Sequence, residues 1–330
     1  MIIMDDKKKN LLKSSLGVIA LLVVLLLLPL IQTSMMPFIM NLLIMSFIYI
    51  CLAESWNILA GFCGLLSMGH CAFFGLGAYI TVMVIIYFDM TLLLAILISV
   101  LFNSILAYII GAISIRVKDI FFAMVTLAVA QLLFSLSMQW VDVTRGPRGL
   151  IMPPLYNLDR RYLYYIALAM VVIYVAIVLL IRRSRLGTML LSLRDNEILA
   201  KSLGVNTSKW KIVATIISAV MASLVGSFYI LYIRSVQPGS VFTFDVTMKI
   251  MIVAFIGGRG TAKGPILGAI IIIIDELIRG WLGGTYAGLP GIIYGLILAL
   301  FVVFMPNGLI SIFNLKDKST SRSAPKKEVI

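Results

Sequence analysis

Apolar residues run along this chain in blocks of about twenty, separated by short polar stretches. The blocks lie at roughly 15–32, 37–59, 68–88, 91–113, 119–140, 162–181, 211–233, 245–258, 264–282 and 290–311. Most approach the roughly 20 residues that an α-helix needs to cross a bilayer. The pattern predicts an all-α, polytopic membrane protein with about ten transmembrane helices. The plainest block is the first, with Leu21-Leu22-Val23-Val24-Leu25-Leu26-Leu27-Leu28 at its centre. It reads as an uncleaved anchor. The start at Lys7-Lys8-Lys9 suits a signal peptide, but the apolar stretch is long and Ile31-Gln32-Thr33-Ser34-Met35 is a poor cleavage site. Two stretches, 60–70 and 257–265, are rich in glycine and are expected to be broken or re-entrant helices rather than ordinary loops.

Composition agrees with the pattern and excludes other classes. The chain has 330 residues, of which 62% are hydrophobic and 12% charged, and its mean hydropathy is +1.10. A soluble domain carries about 25% charged residues, and a disordered chain has low hydrophobicity. Three cysteines, Cys51, Cys63 and Cys71, all sit in apolar stretches and make no disulfide framework. The net charge of +13 would suggest nucleic acid in a soluble protein. In a membrane protein it reports topology. With the N-terminus inside, 20 of the 27 Lys and Arg fall on inside segments and 6 outside, with Lys249 within a helix. This bias predicts an N-in, C-in arrangement. The expected division is a cytoplasmic N-terminus at 1–14, a permease body at 15–315 containing an inside loop at 182–211, and a polar cytoplasmic tail at 316–330.

Several chemistries are missing. No G-x-x-x-x-G-K-[ST] phosphate loop occurs, so the chain is not expected to hydrolyse ATP. His70 is the sole histidine, which leaves no ordinary zinc ligand set and no metal site. No nucleophile–base pair stands at a recognisable spacing. A catalytic site, a cofactor and an enzyme activity are therefore not expected.

Three segments carry a signal. The first, 54–79, reads ESWNILAGFCGLLSMGHCAFFGLGAY. Gly61, Gly64, Ser67, Gly69, Gly75 and Gly77 interrupt what would be a continuous helix. Glycine costs about 1 kcal/mol in a helix relative to alanine. Irregular backbone at membrane depth survives only where protein or a watery cavity satisfies it. Transporters use such breaks to line a path, while small residues also permit close helix packing. Glu54, Asn57, Gly61 and Gly64 share one face of an ideal helix, and an intramembrane carboxyl usually faces a bundle interior. The pathway candidates are Glu54, Asn57, Gly61, Gly64, Ser67, Gly69 and His70. On this reading Gly69→Leu blocks transport and leaves assembly intact. Glu54 alternatively bonds only to Trp56 or a neighbouring helix, and His70 is a packing residue or a proton relay.

The second segment, 257–269, reads GGRGTAKGPILGA and adds Gly257, Gly258, Gly260 and Gly264 as candidates. Its Leu267-Gly268-Ala269 matches Leu76-Gly77-Ala78, which suggests a break in each half of the chain. The third, 182–211, is the largest inside segment. A short amphipathic helix is expected there, with Leu190, Leu193, Ile198 and Leu203 on its apolar face. Glu197 and Lys201 are spaced for an i,i+4 pair, and Gly204 is a helix stop. This helix lies on the membrane surface or docks into a partner. Elsewhere Ser218, Ala222 and Gly226, flanked by Ala219, Ser223 and Ser227, form a ridge of small residues suited to close packing. Asp245 with Lys249 and Asp275 with Arg279 are i,i+4 pairs.

Taken together and in order, these segments resemble the permeases of branched-chain amino acid ABC importers, the LivM type. The residues that carry the resemblance are 56–79, FFAMVTLAVAQ (121–131), TRGPRGL (144–150), 184–211, 257–269 and the closing PNGL (306–309). It runs from about residue 40 to 310. The resemblance implies a permease subunit in a prokaryotic inner membrane, paired with a second permease of the LivH type. Two cytoplasmic ATPase subunits would hydrolyse the ATP, an extracytoplasmic binding protein would deliver the amino acid, and this chain would hold no cofactor. Loop 182–211 matches the coupling region, with Arg194, Asp195, Glu197, Ala200, Leu203 and Gly204 as the candidates for ATPase contact. The sequence departs from the Glu-Ala-Ala…Gly pattern of many importers, since Ile198 and Leu199 follow Glu197 and Gly204 comes one residue late. Arg148 stands where some relatives carry an uncharged residue. Urea or short-amide import is an alternative, because urea permeases have a similar Gly-Leu-Leu-Ser-x-Gly-His segment. A secondary transporter without ATPase partners, relaying protons through Glu54, His70 or Asp275, is another.

Overall fold

A computed structural model describes residues 23–30, 35–114, 119–156 and 158–282, with positions 292, 295 and 296. Apart from those three positions, the expected span at 290–311 lies outside the described residues, as do the tail, the N-terminus and much of the span at 15–32.

The described chain is built from helices. The long ones are α1 (Met36–Trp56), α2 (Cys71–Phe88), α3 (Leu92–Ser114), α4 (Asp119–Gln139) and α5 (Arg160–Arg183). The 182–211 loop carries α6 (Arg185–Asp195) and α7 (Glu197–Ser202), followed by α8 (Thr207–Ile233), α9 (Phe244–Gly257), α10 (Gly264–Gly268) and α11 (Ile270–Leu282). Seven helical segments among the described residues are long and apolar enough to cross a membrane. The expected span at 264–282 departs from this. It divides at Ala269 into α10 and α11, and α11, with 13 residues, is only about 20 Å long. Pro265 starts α10 where a proline is tolerated, and Gly268 lets it lie against the Val253 carbonyl of α9.

α8 is the central helix. At 27 residues it is about 40 Å long, and it packs most extensively against α2 and α3, and also against α1. Its ridge of small residues explains why. A Cβ at Gly226 would overlap the Phe74 carbonyl of α2, and one at Gly77 would overlap the Ser223 carbonyl of α8. The hydroxyls on the ridge are all used. Ser218 Oγ donates to Ser55 O at 2.7 Å. Ser223 Oγ accepts from Asn103 Nδ2 at 2.9 Å and lies 3.0 Å from Ser99 Oγ. Ser227 Oγ pairs with Thr81 Oγ1 at 2.7 Å. With no hydrophobic force between helices in lipid, close contact and such bonds hold the bundle together. The outer face of α3 is the opposite case. Leu93, Leu97, Leu101, Phe102, Ile105 and Ile109 are all exposed, as a surface that meets lipid requires.

One element is not helical. Leu150–Ile151 pairs antiparallel with Ser235–Val236, and Met152 N donates to Arg234 O at 2.8 Å. This short ladder ties the TRGPRGL segment to the end of α8. Within that segment the Thr144 hydroxyl lies 2.7 Å from Ser137 O, and Gly146 N donates to Thr144 Oγ1 at 3.2 Å. Because α5 runs from residue 160 to 183, this platform and the 184–211 loop stand at opposite ends of the bundle.

The two expected i,i+4 ion pairs are present, at 3.6 Å for Lys249–Asp245 and 3.1 Å for Arg279–Asp275. The tertiary structure joins them, since Lys249 Nζ also reaches Asp275 Oδ2 at 3.0 Å and so bridges α9 and α11.

Candidate functional site

α1 does not end cleanly. After Trp56 it widens into a π-helical turn, Asn57–Phe62. Cys63 N donates to Ile58 O and Leu65 N to Leu59 O. The chain then runs irregularly to α2 at Cys71. Such a widened turn shifts the face on which later side chains stand, so the ideal-helix face expected for Glu54 through Gly64 does not continue unchanged past Asn57.

The break is packed in protein, and hydroxyls on two other helices and the segment's own indole satisfy its backbone. Met68 N donates to Thr126 Oγ1 at 3.1 Å and Cys71 N to Thr247 Oγ1 at 3.1 Å. Trp56 Nε1 donates to Ser67 O at 2.9 Å, so the indole closes the loop within one segment. Thr126 and Thr247 were not legible as site residues. Each is an isolated threonine in an apolar helix, and only the fold brings it to the break.

Glu54, Asn57, Ser67 and His70 are each fully buried. Ser55 Oγ donates to Leu52 O at 2.7 Å and lies 2.8 Å from His70 Nε2. A hydroxyl has one proton, so a donated bond to Leu52 leaves it to accept from His70. His70 is then the Nε2–H tautomer. Its Nδ1, Ser67 Oγ and both Glu54 oxygens make no hydrogen bond to a described residue. The expected pairing of Glu54 with Trp56 is thus replaced: that indole serves Ser67.

The second glycine segment forms a tight turn between α9 and α10. Gly258 and Gly260 adopt φ of 115° and 76°, values open to glycine and costly for other residues. Thr261 Oγ1 donates to Gly258 O at 2.7 Å and accepts from Gly264 N at 3.1 Å. A Cβ at Gly257 would overlap the Gly264 carbonyl. Gly257, Gly258 and Gly264 therefore serve the closeness of this hairpin.

The two breaks meet, although some 200 positions separate them in sequence. Asn57 Oδ1 accepts from Gly260 N at 2.7 Å, and its Nδ2 donates to Thr261 O at 3.0 Å. The amide thus pairs with a peptide edge as another backbone would. The 182–211 loop joins the same place. Arg194 Nη1 donates to Gly61 O at 3.0 Å, while its Nε and Nη2 reach Asp195 Oδ1 at 3.1 and 3.0 Å. Gly64, at φ 85°, faces the backbone of Arg194. The structure therefore brings Asn57, Gly61, Gly64 and Gly260 together with Arg194 and Asp195. Gly69 stands elsewhere, against the Thr126 carbonyl of α4, and a Cβ there would overlap that oxygen. This changes the expectation for Gly69→Leu. The added bulk meets packed backbone rather than an open path, so assembly is the first thing to suffer.

The remaining loop candidates sort by exposure. The single amphipathic helix expected at 182–211 is two helices, because Asn196 breaks it with φ −162° and caps α7 by accepting from Leu199 N at 3.1 Å. The break divides the expected apolar face. Leu190 and Leu193 are buried against the bundle, whereas Ile198 is 78% and Leu203 85% exposed. Ala200 is buried. Glu197 pairs with Lys211 Nζ at 2.8 Å, reaching α8 rather than the expected Lys201. Gly204, at φ 82° with open space around it, ends α7 as expected.

Comparison with known proteins agrees with this architecture. Residues 38–305 match the family model described as the branched-chain amino acid transport system / permease component. The chain belongs to that family. Over 296 residues it is 26% identical to the high-affinity branched-chain amino acid transport system permease protein LivM of Salmonella typhimurium, covering 81% of this chain and 68% of the relative. A probable LivM of Methanocaldococcus jannaschii is 22% identical over 233 residues, 65% of this chain and 68% of that protein. The high-affinity branched-chain amino acid transport system permease protein LivH of Escherichia coli is 25% identical over 185 residues, 52% of this chain and 58% of its own length. No solved structure matches. The permease is thus a multi-pass transport subunit of the LivM type.

Proposed function

We propose that this permease forms the translocation path of an inner-membrane ABC importer for branched-chain amino acids, together with a second permease of the LivH type. ATPase subunits on the cytoplasmic side drive it, and a binding protein delivers the amino acid from outside. The family match supports the transport role. The observation that carries the ATPase partnership is the surface of α7. Ile198 and Leu199 on this helix and Leu203 just past its end are exposed apolar residues outside the membrane spans, on the end that the charge bias assigns to the cytoplasm. Apolar side chains clustered on a polar loop helix mark a docking surface. At the other end, the braced TRGPRGL platform presents Arg145 and Arg148 to solvent and suits the docking of the binding protein.

Alternating access in such an assembly needs two helix arrangements biased by partners at either end. The test is reconstitution with the ATPase partners in vesicles. Ile198→Asp with Leu199→Asp should abolish co-purification of the ATPases and leave the permease itself stable, because neither side chain is packed. Leucine uptake that persists without any ATPase, driven by a pH gradient, would overturn the importer reading.

A further inference from the structure

The inside loop is not merely near the first glycine break; it is bonded to it. Gly61 lies in the last turn of the π-helical segment, where carbonyls outrun the supply of backbone donors. Arg194 supplies the donor from α6, at 3.0 Å. A cation at this place also suits the negative end of the α1 dipole. Asp195 holds the guanidinium by two of its other nitrogens, which fixes the direction of the fork. On its far side the guanidinium meets the second break, where a Cβ on Gly260 would come within 2.9 Å of Nη1. Asn57 then ties Gly260 and Thr261 back to α1. From α6, this one side chain meets both the π turn that follows α1 and the α9–α10 turn.

We propose that Arg194 is the positioning residue through which movement of the inside loop reaches both glycine breaks. This rests on the importer reading above. A loop displaced by its ATPase partner carries the guanidinium with it. The Gly61 carbonyl, in the π turn that follows α1, then follows or loses its donor. The Asn57 clamp makes the α9–α10 turn move with the same carbonyl. Leu190 and Leu193 keep α6 seated on the bundle, so the coupling is short and needs no longer chain of contacts.

The test measures leucine uptake and ATP hydrolysis in the same proteoliposomes, using the complete complex with leucine-loaded binding protein. Arg194→Ala should raise the ATP hydrolysed per leucine several-fold, with the ATPases retained at normal stoichiometry. Arg194→Lys should recover part of the coupling, since an ammonium can donate to Gly61 O but cannot hold Asp195 by a fork. A purely structural brace would lower yield or melting temperature and leave the ratio unchanged. A normal ratio in assembled Arg194→Ala complexes therefore overturns this inference and spares the importer reading. Failure of the unaltered chain to bind any ATPase overturns both.

Discussion

Close approach of backbone sets the tolerance of single residues here. Gly226 and Gly77 lie on facing helices, each beneath a carbonyl of the other. A side chain at either position must push α2 and α8 apart, because a carbonyl oxygen on a packed helix cannot rotate away. Overpacking of this kind costs about 1–3 kcal/mol. Gly226→Val should therefore lower the detergent-solubilised melting temperature markedly, while Ser227→Ala, which removes one hydroxyl and adds no volume, should cost less. Thermal unfolding followed by circular dichroism measures both. Equal effects would show that the hydroxyl network outweighs the fit of the ridge. Asn57 is a different case: a lone amide in an apolar helix that matters because both ends of it meet backbone on another segment.

Polar ties join the helices of this bundle at defined points, and each has a readable consequence. The charged network between α9 and α11 has Asp275 at its centre, almost fully buried. Lys249 and Arg279 both reach it, and Lys249 is the more buried of the two partners. Removing one partner of a buried pair strands the other charge, at about 3–5 kcal/mol, whereas removing both is far milder. Arg279 still reaches Asp275 when Lys249 is lost, so Lys249→Met should destabilise the permease by less than that full cost, and the double change Lys249→Met with Asp275→Asn should recover part of the loss. A thermal double-mutant cycle reads this directly. Additive losses would mean that the two groups do not interact across the helices. The same logic of local ties explains α6 and α7. Asn196 cannot continue the helix and caps the next one instead, and that turn is what swings Ile198 and Leu203 outward.

For the whole molecule, the two ends have different work. One end carries the 184–211 loop and the meeting point of the glycine breaks, and the other carries the arginine platform and the short ladder. The charge bias assigns the first end to the cytoplasm. Cysteines introduced at Leu203 and at Arg148, in a chain whose three buried native cysteines have been replaced, test this assignment. A membrane-impermeant maleimide added to intact cells should label position 148 and not 203. The reverse pattern would invert the topology and remove the ATPase from the loop proposed to receive it.

Much of this was legible in the chain before folding. Blocks of apolar residues fix spans because a bilayer demands a length, and a bilayer cannot satisfy stray backbone groups. Glycine clusters announce breaks because helices otherwise avoid them, and the ridge at 218–227 announces close packing for the same reason. What the sequence could not state was which break faces which partner. Asn57 meets Gly260 and Arg194 meets Gly61 across more than a hundred residues, and a π turn changes the face that helical periodicity would assign. Those pairings depend on how α1, α6 and the α9–α10 turn come together in space. They arise from tertiary packing, where a buried carbonyl must find a donor wherever the fold supplies one.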